Sequence, residues 1–272
     1  MIPLFDLTAV PVTAAITGVE QALLGGLDPA ADSPRVSFDW APAGQLLVMP
    51  ARHGRYAGVK LATVAEHSLP RIKGVYVLWD ADTLAPIAMM DGAALTLLRT
   101  PAVSALAARH LARPDARRLV VFGAGPQARA HEEALRAVLP GLQPAQVVAR
   151  DGDTSVVRDA DVICCCTTAR EPLFDSALVA DHATVIAVGS HEPAARELDE
   201  RLMRRATVVV ESRATALSEA GDVIEAGLSA EGLVTIDQLV RGEAPIPQDR
   251  PRVFKSVGMA WEDLVVAAAV RG

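Results

Sequence analysis

Two short stretches of this chain carry residue types and spacings that could do chemistry. Gly123-Ala124-Gly125-Pro126-Gln127-Ala128 reads G-x-G-x-x-A, directly after the apolar run Leu119–Phe122 and directly before a helical pattern. In that context each small residue has a purpose. Gly123 permits a tight turn, Gly125 lets the backbone approach a pyrophosphate, and Ala128 lets helix and strand pack closely. The helix N-terminus offers N–H groups and a positive dipole end to the phosphates, so Gly123, Ala124, Gly125, Pro126 and Gln127 are candidate cofactor contacts. The second stretch is Gly189-Ser190-His191-Glu192-Pro193, a polar turn after the apolar run Thr184–Val188. Ligands of open α/β sheets bind beyond the carboxyl ends of the strands. His191 at such an end could titrate, position a ligand or face water.

The strand after a dinucleotide turn should end at the adenosine ribose, and here it ends in Arg150-Asp151. An arginine pairs with a 2′-phosphate and an aspartate with a free 2′-OH. The two neighbours pull in opposite directions; the arginine favours NADPH, with NADH the alternative. Thr167 and Ser256 are further candidate cofactor contacts. Cys164, Cys165 and Cys166 are consecutive, and strand residues alternate faces, so the three cannot surround one ion. They read as small core residues, and no metal site is expected. His53 and His67 have no ligand spacing; His110, His131 and His182 read as surface residues.

Elements must position these groups. The first hundred residues show a helical patch near Thr13–Leu24 and then strand-like runs, including "RVSFDW", "QLLVMPA", "YAGVKLATV" and a pair joined by a turn at Asp80–Thr83. Such close neighbours predict an antiparallel or mixed sheet. "AALTLLRTPAVSALAARHLAR" reads as helix, with Pro101 either kinking it or starting a new one capped by Thr100. Beyond Pro114, strands at "RRLVVF", "AQVVARD", "DVICCCTT", "TVIAVGS" and "ATVVVES" predict a parallel sheet. Only ten residues separate Arg150 from Asp161, barely enough for a helix. The end, "VFKSVGMAWEDLVVAAAV", reads as a loop and an amphipathic helix.

With 272 residues, 51% apolar and 22% charged, the chain can bury a large core. A net charge of −7 without a basic stripe argues against nucleic acid. The N-terminal stretch lacks a basic region and its apolar run is broken, so neither a signal peptide nor a membrane span is expected. The cysteine usage suits a reducing cytoplasm.

"MPARHGRYAGVKLATV", "APIAMMDGAALTLLRTPAVSALAARHLA", "VVFGAGPQARAH", "VGSHEPAARELD", "SRATALSEAGDV" and "FKSVGMAWEDLVVAAAV" together resemble the ornithine cyclodeaminase/mu-crystallin family, in order and over nearly the whole chain. The resemblance implies an α/β protein with a Rossmann-type dinucleotide-binding domain at 113–249. A mixed α+β substrate-binding and dimerisation domain would occupy 1–112, with 250–272 returning to it. It implies NADPH or NADH as cofactor, a small cyclic imino acid or amino acid as substrate, and a homodimer. The substrate carboxylate would be held by Arg35, Lys60 and Arg99, with Lys60 and His191 catalytic. A guanidinium makes a planar bidentate clamp for such a carboxylate. Cyclodeaminases of the family carry an aspartate where this chain has His191 and a glutamate where it has Leu47. Both departures remove carboxylates that would orient a second amine, which favours a ketimine reductase forming L-proline or L-pipecolate. A cyclodeaminase, an alanine-type dehydrogenase or a non-catalytic binding protein are the rivals.

Overall fold

The computed structural model describes residues 2–68 and 70–271. Two compact units emerge, Met1–Arg99 with Met259–Gly272, and Thr100–Gly258.

The first unit is built on alternation. Its elements are β1 (Leu4–Phe5), α1 (Val12–Leu24), β2 (Val36–Asp39), β3 (Gly44–His53), β4 (Tyr56–Ala65), β5 (Ile72–Asp80) and β6 (Pro86–Asp91). The sheet order is β1-β6-β5-β4-β3-β2, antiparallel except for the β1–β6 pair. Successive strand residues face opposite sides. Met49, Lys60, Tyr76 and Met90 therefore share one row across four strands, and all four are buried. The C-terminal helix (Ala260–Arg271) packs against β3, β4, β5 and α1. A side chain on Gly18 of α1 would strike Ala269, with Cβ atoms 2.4 Å apart. Along α1 the buried stripe is Ala15, Ile16, Val19 and Leu23, and each large member contributes about 1.5–3 kcal/mol.

Helix α2 (Gly92–Leu111) runs without interruption through Pro101, so Thr100 does not restart it. The missing N–H and ring clash cost about 3 kcal/mol. Complete burial of Leu106, Ala107 and Leu111 offsets that.

The second unit is a parallel sheet. Its elements are β7 (Leu119–Phe122), α3 (Pro126–Val138), β8 (Gln146–Val148), β9 (Val162–Cys165), β10 (Thr184–Ala187), α4 (Glu200–Arg205), β11 (Thr207–Val210), α5 (Arg213–Glu219), α6 (Gly221–Glu225), β12 (Leu233–Thr235), α7 (Ile236–Val240) and β13 (Arg252–Lys255). The strand order is β12-β11-β13-β10-β9-β7-β8, every pair parallel. β8 lies on one side of β7 and β9 on the other, which makes a topological switch point beside β7. Only a 3₁₀ turn, Thr154–Asp159, bridges β8 to β9.

The end of the chain corrects two expectations. "VFKSVG" is not all loop: Arg252–Lys255 is a central strand hydrogen-bonded to both β10 and β11. A short apolar run buried on both faces carries no alternation to announce it. The segment that joins the first unit consequently begins at Met259 rather than residue 250, and the earlier boundary falls after Arg99 rather than residue 112.

Candidate active site

In the first unit, alternation along β4 buries Lys60 to 3% exposure. An amine so placed needs an anionic partner. Lys60 Nζ donates to Asp263 Oδ2 at 2.7 Å and to Thr96 Oγ1 at 3.4 Å. Thr96 and Arg99 lie one turn apart on α2. Arg99 Nη1 donates to Glu262 Oε2 at 2.5 Å, and its Nε lies 3.5 Å from Asp263 Oδ1. Burial lowers the Lys60 pKa, and Asp263 opposes that pull.

Glu262 and Asp263 belong to the first turn of the C-terminal helix, where its dipole favours negative charge. Glu262 Oε1 also accepts the N–H of Met259 just before the helix, as in half a capping box. One pair of acids thus starts the helix and fixes two buried cations. The sequence reading missed both acids, although adjacent carboxylates in the apolar stretch "AWEDLVV" had no solvent face to occupy. Arg35 is half-buried and precedes the exposed edge strand β2.

Asp32 accepts the N–H of Trp261 in the same helix turn, and burial raises its pKa from 3.8 to about 6. The folded form binds the proton more tightly than the unfolded chain. Asp32 therefore favours folding at low pH, and that contribution is lost as pH rises from about 4 to about 6. Asp32→Asn should flatten this part of the stability-versus-pH curve in urea unfolding; an unchanged slope would refute the assignment.

In the second unit, parallel strands bring the other candidates to one sheet edge. Gly123 adopts φ +107°, and a Cβ there would lie 2.6 Å from the Cys166 carbonyl oxygen. A Cβ on Gly125 would meet nothing within 4 Å, so the missing side chain leaves an open approach rather than a packing contact. Pro126 opens α3, whose N-terminus has no side-chain cap, and Ala128 is buried. This cradle fits a pyrophosphate. Arg150 and Asp151 lie exposed just past β8.

Thr167 and Ser256 are each tied to a buried acid. The Thr167 hydroxyl and N–H both donate to Glu197 Oε1, at 2.7 and 2.8 Å. The Ser256 hydroxyl donates to Glu211 Oε1 at 2.6 Å. Glu211 also takes the N–H groups of Val257 and Gly258.

The His191 loop is held by the same kind of buried acid. Glu197 Oε2 accepts the Gly189 N–H at 2.7 Å, so this carboxylate ties the ends of β9 and β10 together. A Cβ on Gly189 would sit 2.1 Å from the Thr167 carbonyl oxygen and 2.4 Å from Glu197 Oε1. Ser190 donates to Asp222 and accepts from Lys255. Lys255 Nζ also reaches the Ser190 carbonyl at 2.8 Å and Asp222 Oδ2 at 3.2 Å. Burial pushes the Asp222 carboxyl up, but Lys255 and the N–H groups of Leu198 and Glu197 outweigh it and hold it low. His191, half-buried, follows one residue after this pinned stretch.

His131, expected on the surface, is fully buried on α3. Its ring nitrogens lie 2.8 Å from the Gln127 carbonyl and 3.0 Å from Ser104 Oγ. Cys164 and Cys165 are buried as expected, while Cys166 is half-exposed. Contact with Cys164 lowers the Cys166 pKa to about 5; burial opposes this and His131 adds to it.

A parallel sheet with an open glycine cradle at its switch point defines a Rossmann-type dinucleotide-binding protein. The chain belongs to the ornithine cyclodeaminase/mu-crystallin family, whose model matches residues 10–153 and 140–272. It is 34% identical over 285 residues to ketimine reductase mu-crystallin of Mus musculus, with 90% of each chain covered. It is 32% identical over 237 residues to Δ1-pyrroline-2-carboxylate reductase of Colwellia psychrerythraea, covering 75% of this chain and 74% of that one. Among solved structures, Thermococcus litoralis Δ1-pyrroline-2-carboxylate reductase in complex with NADH and L-proline superposes with a TM-score of 0.89 at 26% identity, covering 96% of this chain and 93% of that chain.

Proposed function

We propose that this chain is an NAD(P)H-dependent reductase of cyclic ketimines, converting Δ1-pyrroline-2-carboxylate or Δ1-piperideine-2-carboxylate to L-proline or L-pipecolate. The observation that carries this reading is the buried Lys60 and Arg99 pair, oriented by Glu262 and Asp263 in a chain whose other unit is a dinucleotide fold. Arg99 and Lys60 hold the substrate carboxylate, with Arg35 a further candidate. The turn Gly123–Ala128 would hold a dinucleotide, which would supply hydride for the imine carbon. His191 gives the proton that the ring nitrogen takes. Fixing the substrate in this way lowers the barrier by several kcal/mol, against a ceiling of about 7–11 for ideally aligned reactants.

Leu47 argues against ring closure of a diamine. It is buried opposite Ala62 on the inward face of β3, and offers no carboxylate to a second amine. The assay that tests the proposal compares NADPH oxidation with the cyclic imine against ammonia release from ornithine or lysine with NAD. Turnover in the first alone is expected. Ammonia release would overturn it in favour of a cyclodeaminase, and silence in both would leave a binding protein.

Arg150 is proposed to read the 2′-phosphate of NADPH. Arg150→Ala should weaken NADPH by roughly 10- to 150-fold, the worth of a charge-assisted contact, and leave NADH nearly unchanged. Equal losses measured by fluorescence titration would remove Arg150 from that role.

A homodimer is supported by the outward face of the first unit's sheet. Val36, Val48, Leu61 and Val75 form a row across four strands there, and Val36, Leu61 and Val75 are 37–47% exposed. Three free cysteines suit a cytoplasmic setting. Among the described residues, no helix is long and apolar enough to cross a membrane.

A further inference from the structure

Strand alternation splits the three cysteines. Cys165 points into the apolar core with Phe122, Ile163 and Val185. Cys164 and Cys166 share the opposite face, where their sulfurs lie 3.6 Å apart. Helix α3 packs against β7 and β9 and brings His131 to the same place. The donor atoms of His131, Cys164 and Cys166 all lie within 4.8 Å of one another. A consecutive cysteine run cannot by itself surround an ion; two alternate members and a histidine from the neighbouring helix can.

We propose that His131, Cys164 and Cys166 form a binding site for a zinc-type ion at the end of β9, beside the glycine turn. Three features support it. First, a tetrahedral ion with Zn–S bonds of about 2.3 Å sets its two sulfurs roughly 3.8 Å apart, close to the 3.6 Å seen here. Second, His131 Nδ1 lies 2.8 Å from the Gln127 carbonyl, the partner that fixes a ligating imidazole's tautomer and leaves Nε2 for the ion. Ser104 Oγ, 3.0 Å from Nε2, has to turn aside when an ion binds. Third, two thiolates with one imidazole select soft ions over magnesium or calcium. Three protein ligands leave a fourth tetrahedral position, which suits a water. Binding costs the thiols their protons, and those protons pass to solvent.

The test is an anaerobic titration of the reduced protein with Co²⁺, followed by displacement with Zn²⁺. A thiolate-to-cobalt charge-transfer band saturating at one ion per chain is expected, and zinc should abolish it. Cys166→Ser and His131→Asn should each lose the band. Cys165→Ser should keep it, since that sulfur faces the other side of the sheet. A circular-dichroism melt identifies any variant that fails to fold, and the half-exposed Cys166→Ser is then decisive. Absence of the band in the unaltered protein overturns the proposal. So does a band that survives Cys166→Ser or disappears with Cys165→Ser in a folded protein.

Discussion

Arg99→Ala should lower kcat/KM for the cyclic imine by a factor on the order of 10 to 1000, corresponding to about 1.5–4 kcal/mol of lost carboxylate binding. It should also cost about 3–5 kcal/mol of stability, because Glu262 is left buried without its cation. The two losses have separate origins and can be separated. Arg99→Met combined with Glu262→Gln removes both charges, so most of the stability should return in urea unfolding. The kcat/KM deficit should remain, and dinucleotide affinity should barely move in either variant. A folded Arg99→Ala protein with near-normal kcat/KM would show that the guanidinium serves the fold alone. If the double variant recovers activity with stability, the conclusion is the same.

For His191→Asn, kcat should fall by a factor on the order of 100 or more, the usual worth of a positioned general acid. The pH profile distinguishes the roles. A proton donor must be protonated, so kcat of the unaltered enzyme should fall as pH rises through the histidine's pKa in the complex. Asparagine should remove that limb. A slower variant with an unchanged profile would mean that His191 only holds geometry. Unaltered turnover would remove it from the reaction. Asparagine's side chain can still hydrogen-bond, and Ser190 before it is pinned by Asp222 and Lys255. The substitution therefore tests chemistry more than loop structure.

Local signals in the sequence determined much of this protein. The G-x-G-x-x-A turn between a strand and a helix is a contiguous pattern, and the cradle at Gly123–Ala128 follows it residue for residue. The run "YAGVKLATV" read as a strand with Lys60 between apolar neighbours, and Tyr56–Ala65 is that strand. The short gap before Asp161 barely admitted a helix, and a 3₁₀ turn fills it. These features depend on neighbours within a few residues, which is the range over which periodicity and turn chemistry act.

Only the tertiary structure decided who partners whom. Lys60 and Asp263 are separated by 203 positions, and Thr167 and Glu197 by 30. No periodicity relates such pairs; they meet because a helix returns to a sheet, or because parallel strands end at one edge. The same holds for β13, whose four buried residues become a strand only between β10 and β11. His131 looked like a surface residue because α3 has mixed composition. The sheet buries that side of the helix and sets an imidazole over Cys164 and Cys166. Burial is a property of two elements in contact, so a single element's sequence does not reveal it.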